Sequence, residues 1–184
     1  MTLGSRLRLR RATHDDVAVL ERWDTDPDVI AATTDDDSTD RAFGGLDWRD
    51  EIEQDTDVSY HLIAEVDGRP VGALQVCDPH AEPTHYWGTI APGLRAIDIW
   101  IGDDADRNQG FGREMMRLAH EHCFANPAVT GIVIDPLVSN TRAVAFYRRL
   151  GYVTVERRRF GDDDCLVLTL TRDAWLESRA RAND

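Results

Sequence analysis

The run Arg107-Asn-Gln-Gly-Phe-Gly112 lies between an alternating apolar stretch, Ile97 to Ile101, and a helix-like stretch beginning near Arg113. At a helix start the first backbone N–H groups have no intrahelical partner, and glycine lets several of them approach one anion with no Cβ in the way. The chemistry this suits is phosphate binding, with room for a pyrophosphate. No Gly-Lys-Ser/Thr follows, and no G-x-G-x-x-G fingerprint stands near the N-terminus, so neither a Walker turn nor a dinucleotide fold is indicated. A plain strand-to-helix connection is the alternative reading.

Two carboxylates flank this turn. Asp98 interrupts an isoleucine-rich strand, a costly place for a charge unless something polar or cationic meets it. Asp135 closes a second apolar run, Gly131 to Asp135, just before Pro136. Facing one pocket, the pair could bind an ammonium and take its proton, directly or through water. The plainer alternatives are a buried salt bridge from Asp98 to Arg95 and a turn-initiating Asp-Pro at Asp135.

The elements that must position these groups follow from periodicity and turn chemistry. Ser5 to Arg10 alternates and predicts a strand, and Thr13 caps a helix running to about Trp23. Asp24 to Asp57, rich in Asp and Thr, is expected to hold one or two short helices. Tyr60 to Val66 and Arg69 to Cys77 are strands around an Asp67-Gly68 turn. Asp78 to Leu94, with its prolines and the pair Tyr86-Trp87, reads as a long loop lining a pocket. Ile97, Ile99 and Ile101 point to one face of the next strand, Asp98 and Trp100 to the other. Met115, Met116, Leu118, Ala119, Cys123 and Phe124 form the buried stripe of a helix. A helix from about Asn140 ends at Gly151. Strands Tyr152 to Arg158 and Cys165 to Thr171 follow, with a terminal helix from Asp173 to Ala182.

The chain of 184 residues suits one domain, 1–184. Three widely spaced cysteines and no C-x-x-C pair point away from a disulfide framework or a cysteine zinc site, and a reducing cytoplasm is expected. No signal-peptide-like stretch and no membrane-length apolar run occur. The net charge of −13 disfavours general nucleic-acid binding and suits a cationic partner, although an acidic surface also serves solubility. On that plainer view Asp35 to Asp37 and Asp162 to Asp164 are solvated loops. All 21 basic residues are arginine, as GC-rich coding would produce. His120 and His122 stand two apart on a helix and share no face, so no metal pair is expected, and none is expected elsewhere. His80 and His85 could line an acceptor site.

The two motifs together, Arg107 with Gly110 and Gly112, then Asn140, Ala143, Tyr147, Gly151 and Tyr152, resemble the GCN5-related N-acetyltransferase family. That resemblance implies an α/β (α+β) domain whose central mixed, mostly antiparallel sheet splays between its fourth and fifth strands and is flanked by helices. It also implies acetyl-CoA as cosubstrate, with no metal. The backbone of Ile99, Trp100 and Ile101 would bond the pantetheine arm as an added strand. Backbone amides of Asn108, Gln109, Gly110, Phe111, Gly112 and Arg113 would hold the pyrophosphate, with the Arg107 and Arg113 side chains offsetting the protein's negative charge. Tyr147 would protonate the departing thiolate, a phenol of pKa about 10 being suited to that task, unless it is simply a core aromatic. Asn140 would bond the pantetheine or a nearby carbonyl, or cap its helix.

The segment from Pro92-Gly-Leu-Arg-Ala-Ile-Asp98 through Asp135-Pro-Leu-Val-Ser-Asn140 further resembles aminoglycoside 6′-N-acetyltransferases. This implies that Asp98 and Asp135 contact the drug and activate its amine, and that the Trp87 neighbourhood lines the drug site. The likeness covers roughly residues 86 to 152. The subfamily's Trp-Trp-Gly-Gly loop is replaced by Trp23-Asp-Thr-Asp-Pro-Asp28, so the acceptor stays open. A protein N-terminus, a polyamine or a small metabolite amine is the alternative. A non-catalytic acyl-CoA-binding domain is the alternative of another class. The expected protein is a monomer or homodimer.

Overall fold

The computed structural model describes residues 7–183, with side chains described to residue 181. The expected first strand is found as β1 (Leu7–Arg11), while Ser5 and Arg6 lie outside the described residues. Asp16 accepts the Thr13 N–H at 2.8 Å and opens a 3-10 turn (His14–Asp16), which runs into α1 (Val17–Asp24). The Asp-rich stretch forms two short helices, α2 (Pro27–Thr33) and α3 (Trp48–Glu53). Each is capped by an aspartate, Asp26 or Asp47, whose side chain accepts two backbone N–H groups of the first turn.

A hairpin of β2 (Ser59–Val66) and β3 (Arg69–Cys77) turns at Asp67-Gly68, both at positive φ (53° and 82°), as a primed two-residue turn requires. Then follow β4 (Leu94–Ile101), α4 (Phe111–Phe124), β5 (Gly131–Ile134), α5 (Thr141–Arg149), β6 (Val153–Phe160), β7 (Asp163–Thr171) and α6 (Arg172–Asn183). Helix α5 stops in a Schellman motif. Gly151 takes φ 96°, its N–H bonds Arg148 O at 3.1 Å, and the Tyr152 N–H bonds Tyr147 O at 3.2 Å.

The sheet order is β1-β2-β3-β4-β5-β7-β6. Every described pairing is antiparallel except β4 with β5, which is limited to Leu94↔Gly131, Arg95↔Ile132 and Ala96↔Val133. From Ile97 onward β4 keeps β3 on one side and has no ladder partner on the other among the described residues. This is the splay between the fourth and fifth strands.

Strand alternation feeds two cores. Leu62, Leu74, Val76 and Ile97 pack on one face against Met115, Met116 and Ala119 of α4. Ile63, Ala73 and Trp100 pack on the other against Leu20, Trp23 and Trp48. At ~25 cal/mol per Å2 of apolar surface, such fully buried side chains are each worth roughly 1.5–3 kcal/mol against exposure. The α4 stripe also contains His120, 6% exposed, whose Nε2 is 2.9 Å from the Tyr152 hydroxyl. Burial lowers its pKa to about 4 and keeps the ring neutral.

One expectation is corrected. The two acidic loops are not merely solvated. Asp163 Oδ1 accepts the Thr34 hydroxyl at 2.9 Å and the Asp35 N–H at 2.7 Å, while Asp35 accepts the Ser139 hydroxyl at 2.7 Å and the Asp164 N–H at 3.2 Å. Each carboxylate takes a backbone N–H from the other loop, and the hydroxyls of Thr34 and Ser139 complete the set.

Candidate active site

The splay opens into a cavity of about 1450 Å3. Its walls come from both cores, since α2, α3, β3, β4, α5 and the end of β5 all contribute. Asp98 projects into it from the face of β4 that also carries Trp100, and Asp135 reaches it from just beyond β5.

Asp98 makes no hydrogen bond or ion pair among the described residues. The expected alternative of a bridge to Arg95 fails because that guanidinium is engaged by Asp78 at 2.9 Å and by the Leu94 carbonyl at 2.7 Å. Asp98 stays accessible from the cavity yet lies deep between protein walls. Loss of hydration there, reinforced by the charge of Asp135, pushes its carboxyl up to about 7. Asp135 is also raised, first by burial, with the Tyr86 hydroxyl opposing by donating to Oδ2 at 2.7 Å. Two like carboxyls whose environments differ in this way hold a proton unequally.

Tyr147 is 8% exposed and belongs to the α4-side core, yet it lines the same cavity. Its hydroxyl has no hydrogen-bond partner among the described residues. Burial, then the charges of Asp98 and Asp135, raise its pKa, so the phenol is held protonated.

The glycine turn has the geometry of an anion cradle. Asn108 (φ 62°) and Gly110 (φ 86°) are left-handed, Gly110 is the N-cap of α4, and no side chain caps that end. The first N–H groups of α4, those of Phe111, Gly112 and Arg113, are left as open donors. The Arg113 side chain is exposed on the cavity wall and has no hydrogen-bond or ion-pair partner among the described residues. Arg107 behaves differently. Its guanidinium is held by Asp28, by Asp26 at 2.8 Å and by the Gly102 carbonyl at 2.7 Å, with Asp104 at 3.8 Å, so the charge expected to meet a pyrophosphate is already shared with three carboxylates. Sequence reasoning missed Arg142, which donates to Asn108 Oδ1 at 2.5 Å and so reaches the turn from α5. Its signal was the arginine two residues after Asn140. Asn140 caps α5 through the Ala143 N–H (3.0 Å) and donates to the Ala32 carbonyl at 3.3 Å.

Trp87 borders the cavity, but its ring is 4% exposed in a cluster with Val133, Leu137, Phe160 and Val167. The neighbouring aromatic, Tyr86, is 50% exposed and stacks on Phe160 at 4.5 Å with an interplanar angle of 8°. Both residues line the cavity, and Tyr86 presents the more exposed ring. His80 and His85 are not among the residues lining it; the Nδ1 of His80 pairs with the Ile90 carbonyl at 2.9 Å. No group of three or more His, Cys, Asp or Glu side chains able to hold a metal occurs among the described residues. No described helix is long and apolar enough to cross a membrane.

Residues 12–160 match the family model described as an acetyltransferase (GNAT) domain. Among curated relatives, an aminoglycoside N(6′)-acetyltransferase type 1 of Klebsiella pneumoniae is 29% identical over 121 residues, covering 65% of this chain and 60% of that protein. A kanamycin resistance protein of Rhizobium radiobacter is 31% identical over 91 residues, covering 50% of this chain and 84% of that protein. Among solved structures, aminoglycoside acetyltransferase AAC(6′)-Ib with coenzyme A and kanamycin gives a TM-score of 0.79 at 24% identity over 94% of this chain and 99% of that one. Spermidine N-acetyltransferase of Vibrio cholerae with CoA and spermine gives 0.71 at 15% over 94% and 99%. At these identities the structural likenesses establish the fold.

Proposed function

The chain belongs to the acetyltransferase (GNAT) domain family, and from that premise we propose that it transfers acetyl from acetyl-CoA to a primary amine of an aminoglycoside, the 6′-amine being favoured. The observation that carries this reading is the partition of charge around one cavity. Its basic lining residues, Arg107, Arg113, Arg142 and Arg149, all come from the glycine turn, α4 and α5, where Asp28 and Asp104 also line the wall but are paired with Arg107. Elsewhere the wall carries Glu51, Asp55, Glu82, Asp98, Asp135 and Asp163, with no arginine. A phosphate-rich cosubstrate suits the first region and a polycation the second. The relatives named for aminoglycosides point the same way.

The residues present fit this chemistry. The open N–H groups at the start of α4 suit a pyrophosphate, with Arg113 and Arg142 beside them. The unpaired edge of β4 at Ile99, Trp100 and Ile101 suits the amides of an extended arm. The thioester supplies the acyl carbon and the leaving sulfur. Asp98, with a proton affinity near neutrality, takes the proton of the incoming ammonium and leaves a nucleophilic amine. Asp135, oriented by Tyr86, shares the ammonium charge. Tyr147 returns a proton to the departing sulfur. Holding amine and thioester in register contributes roughly 7–11 kcal/mol of barrier reduction on top of these proton transfers. A purely CoA-binding role would leave the unpaired Asp98 carboxylate and the free Tyr147 hydroxyl without purpose.

The test is thiol release from acetyl-CoA by the purified protein with kanamycin, tobramycin, spermidine and an N-terminal peptide library, the product site being fixed by NMR. Acetylation of kanamycin at the 6′-amine is expected. Turnover on spermidine or peptides alone would remove the aminoglycoside reading while retaining acetyl transfer.

A further inference from the structure

His61, Gln75 and Asp98 are successive partners across three strands, His61 pairing with Gln75 and Gln75 with Asp98. Residues paired in this way project from the same sheet face, and all three line the cavity. Two strand spacings place His61 ~10 Å from Asp98.

The His61 ring is 4% exposed and tightly constrained. Its Nδ1 lies 2.9 Å from Asp55 Oδ1, and its own backbone N–H donates to Asp55 Oδ2 at 2.9 Å. Trp48 meets the ring edge-on, with centroids 5.5 Å apart and planes at 81°. An ionised carboxylate only accepts, so the hydrogen facing Asp55 is on Nδ1, and in the neutral form of an imidazole held this way the lone pair is on Nε2. That nitrogen has no hydrogen-bond partner among the described residues. Beside it, Gln75 gives one amide N–H to the Ser59 hydroxyl at 3.2 Å, and its carbonyl oxygen takes no part in that bond. The cavity floor thus offers a line of acceptors ending at Asp98. Proton removal at Asp98 needs none of the others, but an acceptor molecule with further polar hydrogens does.

We propose that His61, held by Asp55, is a second recognition residue, accepting a hydrogen bond from an ammonium or hydroxyl of the acceptor ~10 Å from its reacting nitrogen. The ligand class is a long polyfunctional amine. The inference rests on Asp98 as the point where the reacting amine docks. Asp55 is a positioning residue that fixes the tautomer and the plane of the ring.

The experiment compares wild type, His61→Phe and Asp55→Asn on kanamycin, spermine and the short monoamine benzylamine, with calorimetric binding of the two long amines in parallel. His61→Phe is expected to raise KM for the long amines roughly tenfold, the worth of one charge-assisted hydrogen bond, leaving kcat and both benzylamine and acetyl-CoA parameters within about twofold. Asp55→Asn should follow the same pattern more weakly. Equal losses on all three amines, or none, would overturn the proposal. If His61→Phe lowers the melting temperature sharply, His61→Gln carries the same comparison. Refusal of kanamycin with turnover of spermine would end the aminoglycoside reading and leave His61 to be decided on spermine. Turnover of benzylamine alone would end both. With no turnover at all, equal calorimetric affinities of wild type and variant for kanamycin and spermine, or no binding, would overturn the role of His61.

Discussion

Tyr86 donates its hydroxyl to Asp135 Oδ2 at 2.7 Å, and this bond makes the two cavity carboxyls unequal. Asp135 has a neutral donor that favours its charged form, whereas Asp98 has no hydrogen-bond donor among the described residues. Tyr86→Phe removes the donor while keeping the stack on Phe160. It should raise the acceptor KM roughly 3–10-fold with little change in the acetyl-CoA KM, as expected for one lost hydrogen bond to a charged group. Initial rates with each substrate varied in turn decide it.

The pH profile should carry the mark of Asp98. With its carboxyl pushed up to about 7, kcat/KM for the acceptor should fall on the acid side below about that pH as the base becomes protonated. Because the charge of Asp135 contributes to the rise, Asp135→Asn should move this limb to lower pH even as the plateau drops. A limb that stays in place would separate the two carboxyls.

Stability should move in the opposite sense to activity. The folded-state value of Asp98 lies above its unfolded value of about 3.9, so folding is favoured most by this group below that value, and the benefit is lost as pH rises towards 7. Asp98→Asn should therefore melt higher than wild type at pH 8, with the gap closing by pH 4. Thermal melts across that range provide the check.

The arginines near the turn should divide by role. Removing Arg107 leaves Asp26 and Asp28 without their shared cation and the Gly102 carbonyl without its donor, so Arg107→Gln should cost about 1–3 kcal/mol of stability. Arg113→Ala should leave the melting temperature unchanged and raise the acetyl-CoA KM several-fold. Denaturant titration and kinetics on both variants separate anchoring from ligand binding.

A tight approach gives a purely structural test. A Cβ on Gly102 would fall 1.9 Å from Cε2 of Trp23, in a core where the ring is 1% exposed. Gly102→Ala should destabilise by about 1–3 kcal/mol or more through overpacking, and it should also disturb the end of β4 that borders the cavity.

Much of the fold was legible because its signals are local. The Asp67-Gly68 hairpin, the alternation of Ile97, Ile99 and Ile101, and Gly151 at the end of α5 all appear at the expected places. What escaped was set by partners distant in sequence. Arg107 is claimed by Asp26 and Asp28, 81 and 79 residues upstream, and no motif announces that. The different exposures of Tyr86 and Trp87 are set around Phe160, which stacks on one ring and meets the other edge-on. His61 looked like an ordinary strand residue because only the register across β3 reveals that it shares a row with Asp98. The acidic loops looked solvated because each takes a backbone N–H from the other, and Asp35 a further hydroxyl from Ser139.

The three-rung pairing of β4 with β5 has a further consequence. Exposed strand edges normally invite another polypeptide to pair, and proteins blunt them with charge, proline or bulges. Here the unpaired edge of β4 is an inner one, with the rest of the same sheet continuing beyond the gap. An intruding peptide strand would have to fit between two parts of one sheet, bringing side chains on both its faces. A slender thread with widely spaced amides meets no such obstacle. The gap thus keeps the hydrogen-bonding capacity of a sheet edge inside the sheet rather than at its rim.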